Sequence, residues 1–242
     1  MRTRLKLAVV GFMAAGLLAC GSDDGTGPGD QGFGKDEGEI RFSYSGSKLK
    51  GDFRARGAYD VDAKGNPKIQ PFAFAAQPTG SANGVPFDVT NIYGLDIRLP
   101  TIGIVSGGWF SHKTGRFSVA DECLAGSTAL NCAGLLFMIG IDLMQWTASD
   151  TAPPTYFLTA GAVEVASISN GRIRGTFQGT ARLLANPDSS LNFVPGADLA
   201  VTNGTFNLPI RDDVNFGISL NRIGEPRTLH SWWLPAASLR AH

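Results

Sequence analysis

Three short patterns hold residue types suited to covalent catalysis. Ser45-Gly-Ser-Lys48 sets a lysine three residues after a serine, Lys113-Thr-Gly115 supplies a second lysine, and Ser190-Leu-Asn192 adds a serine and an amide. Those are the parts of a serine acyl-transfer centre. Their order along the chain is wrong for it, and Ser45 falls at a hairpin turn where the chemistry needs the start of a core helix. Asp60-Val-Asp-Ala-Lys-Gly65 opens like a calcium loop, yet Lys64 replaces an oxygen ligand and Pro71 stands where a bidentate glutamate belongs. The stretch is expected to be a turn. No nucleophile elbow, zinc-protease pattern or phosphate-cradling glycine loop occurs, and His112, His230 and His242 are scattered. The chain is read as a non-enzyme, with no catalytic residue, metal site or cofactor assigned.

Two further features ask for a role. Asp142 lies in the most apolar segment, where an ionised carboxylate needs a partner, and a hydrogen-bonding arginine is the expected one. Trp109-Phe110 and Trp232-Trp233 are candidate ligand-binding residues, an aromatic platform for a sugar or an apolar ligand, set against plain core and edge packing.

The N-terminus is more specific. Arg2, Arg4 and Lys6 precede an apolar run from Leu7 to Ala19, and small residues lead to a cysteine. This is the layout of a secretory signal. Thirteen apolar residues are too few to cross a bilayer, which takes about 20. Leu17-Leu18-Ala19-Cys20 resembles the lipobox of bacterial lipoproteins. The resemblance implies a signal peptide over residues 1–19, cleavage before Cys20, a diacylglycerol on its sulfur and an acyl chain such as palmitate on the new amine. One lipid chain holds a protein marginally and two or more hold it firmly. Gly21 is not the aspartate that, in the family, favours inner-membrane retention, so an outer-membrane location is expected.

Without the leader, 18 basic residues face 21 acidic ones, a balance of −3. Residues 20–39 hold six of the acids (Asp23, Asp24, Asp30, Asp36, Glu37 and Glu39) against Lys35 alone, among Gly, Ser, Thr and Pro. Such a segment buries too little apolar surface to offset its chain entropy and reads as a flexible tether. From residue 40 to 242 the balance is 17 basic to 15 acidic with no basic block, which disfavours nucleic acid as a partner. With Cys20 lipidated, Cys123 and Cys132 remain as an even pair. In an oxidising compartment they are expected to form a disulfide, worth about 2.5 kcal/mol in the chain-entropy model. Metal ligation is the weaker alternative, since there is no Cys-x-x-Cys.

Residues 40–242 are read as one domain of strands and turns. Ile40, Phe42 and Tyr44 alternate with Arg41, Ser43 and Ser45. The alternation resumes after Gly46-Ser47 with Leu49, Gly51, Phe53 and Ala55 facing in and Lys50, Asp52, Arg54 and Arg56 facing out, a hairpin. Further strands are expected at 69–75, 86–90, 95–99, 103–106 and 115–119. The run 133–146, apolar on both faces, is assigned to a central strand over a buried helix because Gly134 and Gly140 interrupt it and Ile139 and Ile141 favour β. Strands at 156–159 and 162–167, a tight turn at Asn170-Gly171, and strands at 173–183, 199–202 and 205–210 around Asn203-Gly204 complete the series. The expected fold is all-β, a single antiparallel sandwich or barrel of about a dozen short strands.

Gly51-Asp-Phe53 and Gly175-Thr-Phe177 echo one another. Each glycine permits a bend, and the aromatic two residues on is expected to cover it. Val165 to Ile210, with Asn-Gly-Arg-Ile-Arg-Gly-Thr-Phe and Thr-Asn-Gly-Thr-Phe-Asn-Leu-Pro, is similar to the end of uncharacterised β-rich lipoproteins of Gram-negative bacteria, which bring no activity with them. The function expected is that of a non-catalytic cell-envelope lipoprotein, lipid-anchored at the outer membrane, that presents a binding or scaffolding surface to another envelope protein. Rivals are a lipocalin-like carrier of a small apolar ligand and a glycan hydrolase with two carboxylates in one groove.

Overall fold

The computed structural model describes residues 32–63, 68–77, 79–82, 85–99, 102–120, 131–142, 153–185 and 192–212. The alternating sequence becomes strand throughout, with no helix among the described residues. The strands are β1 (Glu37–Gly46), β2 (Lys50–Ala58), β3 (Phe72–Ala76), β4 (Thr79–Ala82), β5 (Val85–Ile97), β6 (Ile102–Ser111), β7 (Gly115–Ala120), β8 (Ala133–Asp142), β9 (Thr155–Ser169), β10 (Arg172–Leu184) and β11 (Phe193–Arg211). Ladders run in the order β10-β9-β8-β6-β5-β3-β11, and β11 pairs back with β10, so the sheet closes on itself. All of these joints are antiparallel except β11 on β3, where Ile210 lies opposite Ala75 and Arg211 opposite Ala76. Residues 199–207 of β11 carry β10 on one edge and β1 on the other, and β1 continues into β2. Closure leaves few open edges to pair with other chains.

Among the described residues, β2 meets side chains in place of a ladder on its second edge. The buried Asp96 carboxylate accepts the Arg54 N–H at 3.0 Å, Arg98 donates to the Asp52 carbonyl and lies 2.5 Å from Asp96, and Gln70 donates to the Ala58 carbonyl at 3.1 Å. The Asp96 and Arg98 contacts form a seam that joins β2 to β5 and the bend after it, and Gln70 ties the end of β2 to the segment before β3.

Alternation sends the apolar half of each strand inward, where aromatic rings fill the barrel. Phe42 stacks on Phe53 at 4.8 Å between centroids and meets Phe137 at 5.1 Å and Phe177 at 5.6 Å. Phe137 stacks on Tyr156 at 5.4 Å, and Phe110 on Phe206 at 5.6 Å. The double-sided apolar run is strand β8, as its glycines and β-branched residues suggested; residues 143–146 lie outside the described set.

Several expected strand pairs prove to be single long strands. The stretches at 86–90 and 95–99 merge into β5, those at 156–159 and 162–167 into β9, and those at 199–202 and 205–210 into β11. The two Asn-Gly pairs show why. At Asn170-Gly171, φ values of 51° and 68° make the two-residue hairpin turn between β9 and β10. Asn203 has a similar φ of 55°, but there the registers of both β1 and β10 slip while the strand runs on. Partners on both edges span the site, so the left-handed residue is absorbed as a bulge that bends the sheet.

The glycine echo is also resolved differently from expectation. The ring that covers each glycine comes from the strand opposite: Tyr44 over Gly51, Phe206 over Gly175, Phe177 over Gly204 and Trp109 over Gly134. Directly opposed residues sit about 5 Å apart, whereas two residues along a strand is nearer 7 Å.

The first strand opens at Glu37, inside the stretch assigned by composition to the tether. Its acids have partners there: Glu37 pairs with Arg56 at 2.8 Å and Glu39 with Arg54 at 3.0 Å, and Phe33 lies under the guanidiniums of Arg56 and Arg172. Arg56, helped by the Gly34 N–H, holds the Glu37 carboxyl below its ordinary 4.5. A carboxyl with a depressed folded pKa contributes stability that is present above its unfolded value and is lost as pH falls through the folded one. In paired thermal melts the deficit of Glu37→Gln against wild type should be present at neutral pH and shrink as pH drops below 4.5. A deficit that grows in acid would contradict the pairing.

Candidate functional site

The outward half of the alternation builds a polar surface on the far side of the ring-filled core. Register aligns one residue from each of six strands: Arg116 (β7) opposite Glu164 (β9), Glu164 opposite Thr176 (β10), Thr176 opposite Thr205 (β11), Thr205 opposite Arg41 (β1), and Arg41 opposite Arg54 (β2). Side chains opposed in this way share one face. Six strands at about 4.8 Å spacing make a row about 24 Å long. Beside it lie Gln178 on β10, and Ser43 and Asp52 on β1 and β2.

The bulge at Asn203 bends this part of the sheet, and the row lies in a cleft of about 670 Å³ whose lining includes all six residues. Internal hydrogen bonds hold the central and β2 parts in place. Arg41 Nε donates to Thr205 Oγ1 at 3.0 Å, Ser43 Oγ donates to Asp52 Oδ1 at 2.6 Å, and Arg54 Nε donates to Glu39 at 3.0 Å. Arginines stand toward both ends of the row, with the Glu164 carboxylate and two hydroxyls between them and the Gln178 amide alongside. Such a surface offers donors and acceptors along a line and suits an elongated polar ligand laid across the strands. The cleft's two carboxylates, Asp52 and Glu164, occupy β2 and β9, four strand spacings apart, about 19 Å along the sheet.

The residues singled out by sequence are dispersed. Trp109 and Phe110 point to opposite faces of β6, Phe110 buried among Phe117 and Phe206 and Trp109 over Gly134, so they form no joint platform. Consecutive strand residues cannot share a face. Cys132 is buried just before β8 and bridges to Ser118. Asp142 ends β8 opposite Ile102. Asp60 pairs with Lys68 at 2.5 Å, while residues 64–67 of the expected turn lie outside the described set, and His112 Nδ1 lies 2.6 Å from Thr90 Oγ1. Ser45 is exposed near the end of β1 and Lys48 in the turn that follows. Cys20, Cys123, Ser190, Trp232 and Trp233 lie outside the described residues. Among the described residues no group of three or more His, Cys, Asp or Glu is arranged to hold a metal ion.

Sequence reasoning assigned Arg54 and its neighbours to the outer face but passed over the row. The signal was there in the outward series Arg41-Ser43, Asp52-Arg54 and Thr176-Gln178. Nothing local says that they align. Fold and surface together define a closed, core-filled β-barrel with a concave polar outer face. No family model, no curated protein and no solved structure matches the chain.

Proposed function

We propose that this chain is a non-catalytic envelope lipoprotein, anchored through Cys20 at the outer membrane, that offers the cleft across β7, β9, β10, β11, β1 and β2 as its binding surface. The observation that carries the reading is the registered row from Arg116 to Arg54, which turns scattered polar residues into one continuous strip. The Leu17-Leu18-Ala19-Cys20 pattern supports the anchor. A disulfide between Cys123 and Cys132 belongs to the same proposal, as export would permit it.

The rivals draw less support. A lipocalin-like carrier needs an interior cavity of roughly 300 Å³ or more, and the barrel axis here is occupied by the Phe42 ring cluster. A two-carboxylate hydrolase needs a pair of carboxylates about 5 to 9.5 Å apart, and the cleft's Asp52 and Glu164 stand on strands four places apart in the sheet.

Cys20→Ser, followed by fractionation and intact mass, tests the anchor. The wild type should sediment with membranes carrying diacylglycerol and acyl mass, and the variant should be soluble and unlipidated. Membrane association unchanged by the substitution, with no acyl mass on the wild type, would sink it. For the surface, a photo-crosslinking residue at Gln178 in intact cells should give a discrete adduct that Arg41→Glu abolishes. An adduct indifferent to Arg41→Glu, or none, rules out the cleft.

A further inference from the structure

The charges of the polar cleft differ in how far the protein itself satisfies them. Arg54 is taken up by Glu39, and Asp52 accepts the Ser43 hydroxyl. Arg41 donates through Nε to the neutral Thr205 hydroxyl, which leaves the terminal nitrogens of its fork without an acceptor among the described residues. Arg116 and Glu164 lie opposite one another across the ladder of β7 and β9, yet among the described residues their side chains form no ion pair. Both are exposed, as is Arg41. Four strand steps, about 19 Å, separate Arg116 from Arg41. Between them stand one carboxylate, Glu164, and the hydroxyls of Thr176 and Thr205.

The floor of the cleft also withholds two common means of recognition. At this row β9, β10, β11 and β1 are laddered on both edges, so their backbone cannot take an extended peptide as an added strand. The aromatic residues of the lining, Phe42, Phe53 and Phe177, are buried in the core. They offer a neutral sugar no ring to stack on and a protein partner no pocket for an apolar anchor. Recognition is left to hydrogen bonds and charge. A guanidinium fork takes an acid group bidentately, and an unpaired carboxylate accepts hydroxyls.

We infer that the ligand of this cleft is a linear, sparsely acidic glycan. Two of its acid groups, about 19 Å apart, sit on Arg116 and Arg41, and the uncharged sugar units between them bond through their hydroxyls to Glu164, Thr176 and Thr205. A chain acidic at every unit would press a like charge against Glu164, so the row reads the spacing of the charges as well as their sign. The inference rests on the reading of the cleft as the binding surface and is independent of the lipid anchor.

The test titrates the full chain, in mild detergent, with octasaccharides of deacylated gellan, a linear polymer with one uronate in every four sugar units. Binding should saturate, and Arg116→Gln and Arg41→Gln should each weaken it about tenfold or more, the usual weight of a charge-assisted hydrogen bond. An uncharged dextran octamer should bind about tenfold more weakly than gellan for the same reason. Octagalacturonate, acidic at every unit, should also bind about tenfold more weakly and should gain on Glu164→Gln, which removes the like charge. Arg182→Gln changes an arginine paired with Asp198 outside the cleft and should alter nothing. Dextran or octagalacturonate binding as well as gellan, indifference to Arg116→Gln, an equal effect of Arg182→Gln, or no gellan binding each overturns the proposal. In cells, the adduct formed at Gln178 should survive protease and carry uronate-containing sugar mass. An Arg41-dependent adduct made of peptide overturns the glycan and leaves the cleft standing, whereas the absence of any Arg41-dependent adduct removes the cleft itself.

Discussion

Phe42→Ala should lower unfolding free energy by about 3–5 kcal/mol, the range for losing a buried phenylalanine and leaving a cavity. Phe42 holds the centre of the ring cluster: Phe53, Phe137 and Phe177 all contact it within 5.6 Å, and Tyr44 lies at 6.2 Å. These neighbours come from β1, β2, β8 and β10, so one substitution loosens the wall from several sides. None can swing into the gap without leaving its own contacts. Total stabilities of single domains are about 5–15 kcal/mol, so the loss is a large fraction of the whole. Urea denaturation reads it directly. A shift below about 1.5 kcal/mol would mean that the barrel collapses around the gap and that the core is softer than its ring geometry implies.

Gly175→Val comes second, at about 1–3 kcal/mol. A Cβ at residue 175 would enter the space of the Glu164 carbonyl and of the Phe206 ring, and the carbonyl belongs to a paired backbone that cannot yield cheaply. The comparison that isolates the cause is Gly171→Ala. There φ is 68° and a Cβ would meet nothing within 4 Å, so that variant carries backbone strain alone, about 1 kcal/mol. Combining Gly175→Val with Phe206→Leu should recover part of the loss, because the smaller side chain vacates the space the valine needs. Strictly additive effects in that cycle would show that the ring and the glycine are not coupled.

How much of this was readable beforehand divides along physical lines. Strand identity was legible wherever apolar and polar residues alternated, as at 40–45 and 173–183, because a period of two has one structural meaning. The hairpins at Gly46-Ser47 and Asn170-Gly171 were legible for the same local reason. Asn203-Gly204 was misread, since whether a left-handed residue makes a turn or a bulge is decided by partners distant in sequence. The same limit hid the polar row. Arg41 and Thr205 are 164 residues apart, and their hydrogen bond exists only once β1 lies beside β11. The aromatic cover of Gly51 and Gly175 failed for a related reason, as the nearest ring in space is across the ladder and the nearest in sequence is not.

The side-chain seam along β2 has a mechanical corollary. Asp52 and Arg54, at one bank of the cleft, ride on a strand that among the described residues has a backbone ladder on one edge, while Thr176 and Gln178, at its centre, ride on β10, laddered on both. Loosely secured elements fluctuate at lower free-energy cost than doubly secured ones. The cleft is thus uneven in compliance: an incoming molecule would rest on a stiff floor and press against two banks, β2 and β7, each held by one ladder among the described residues.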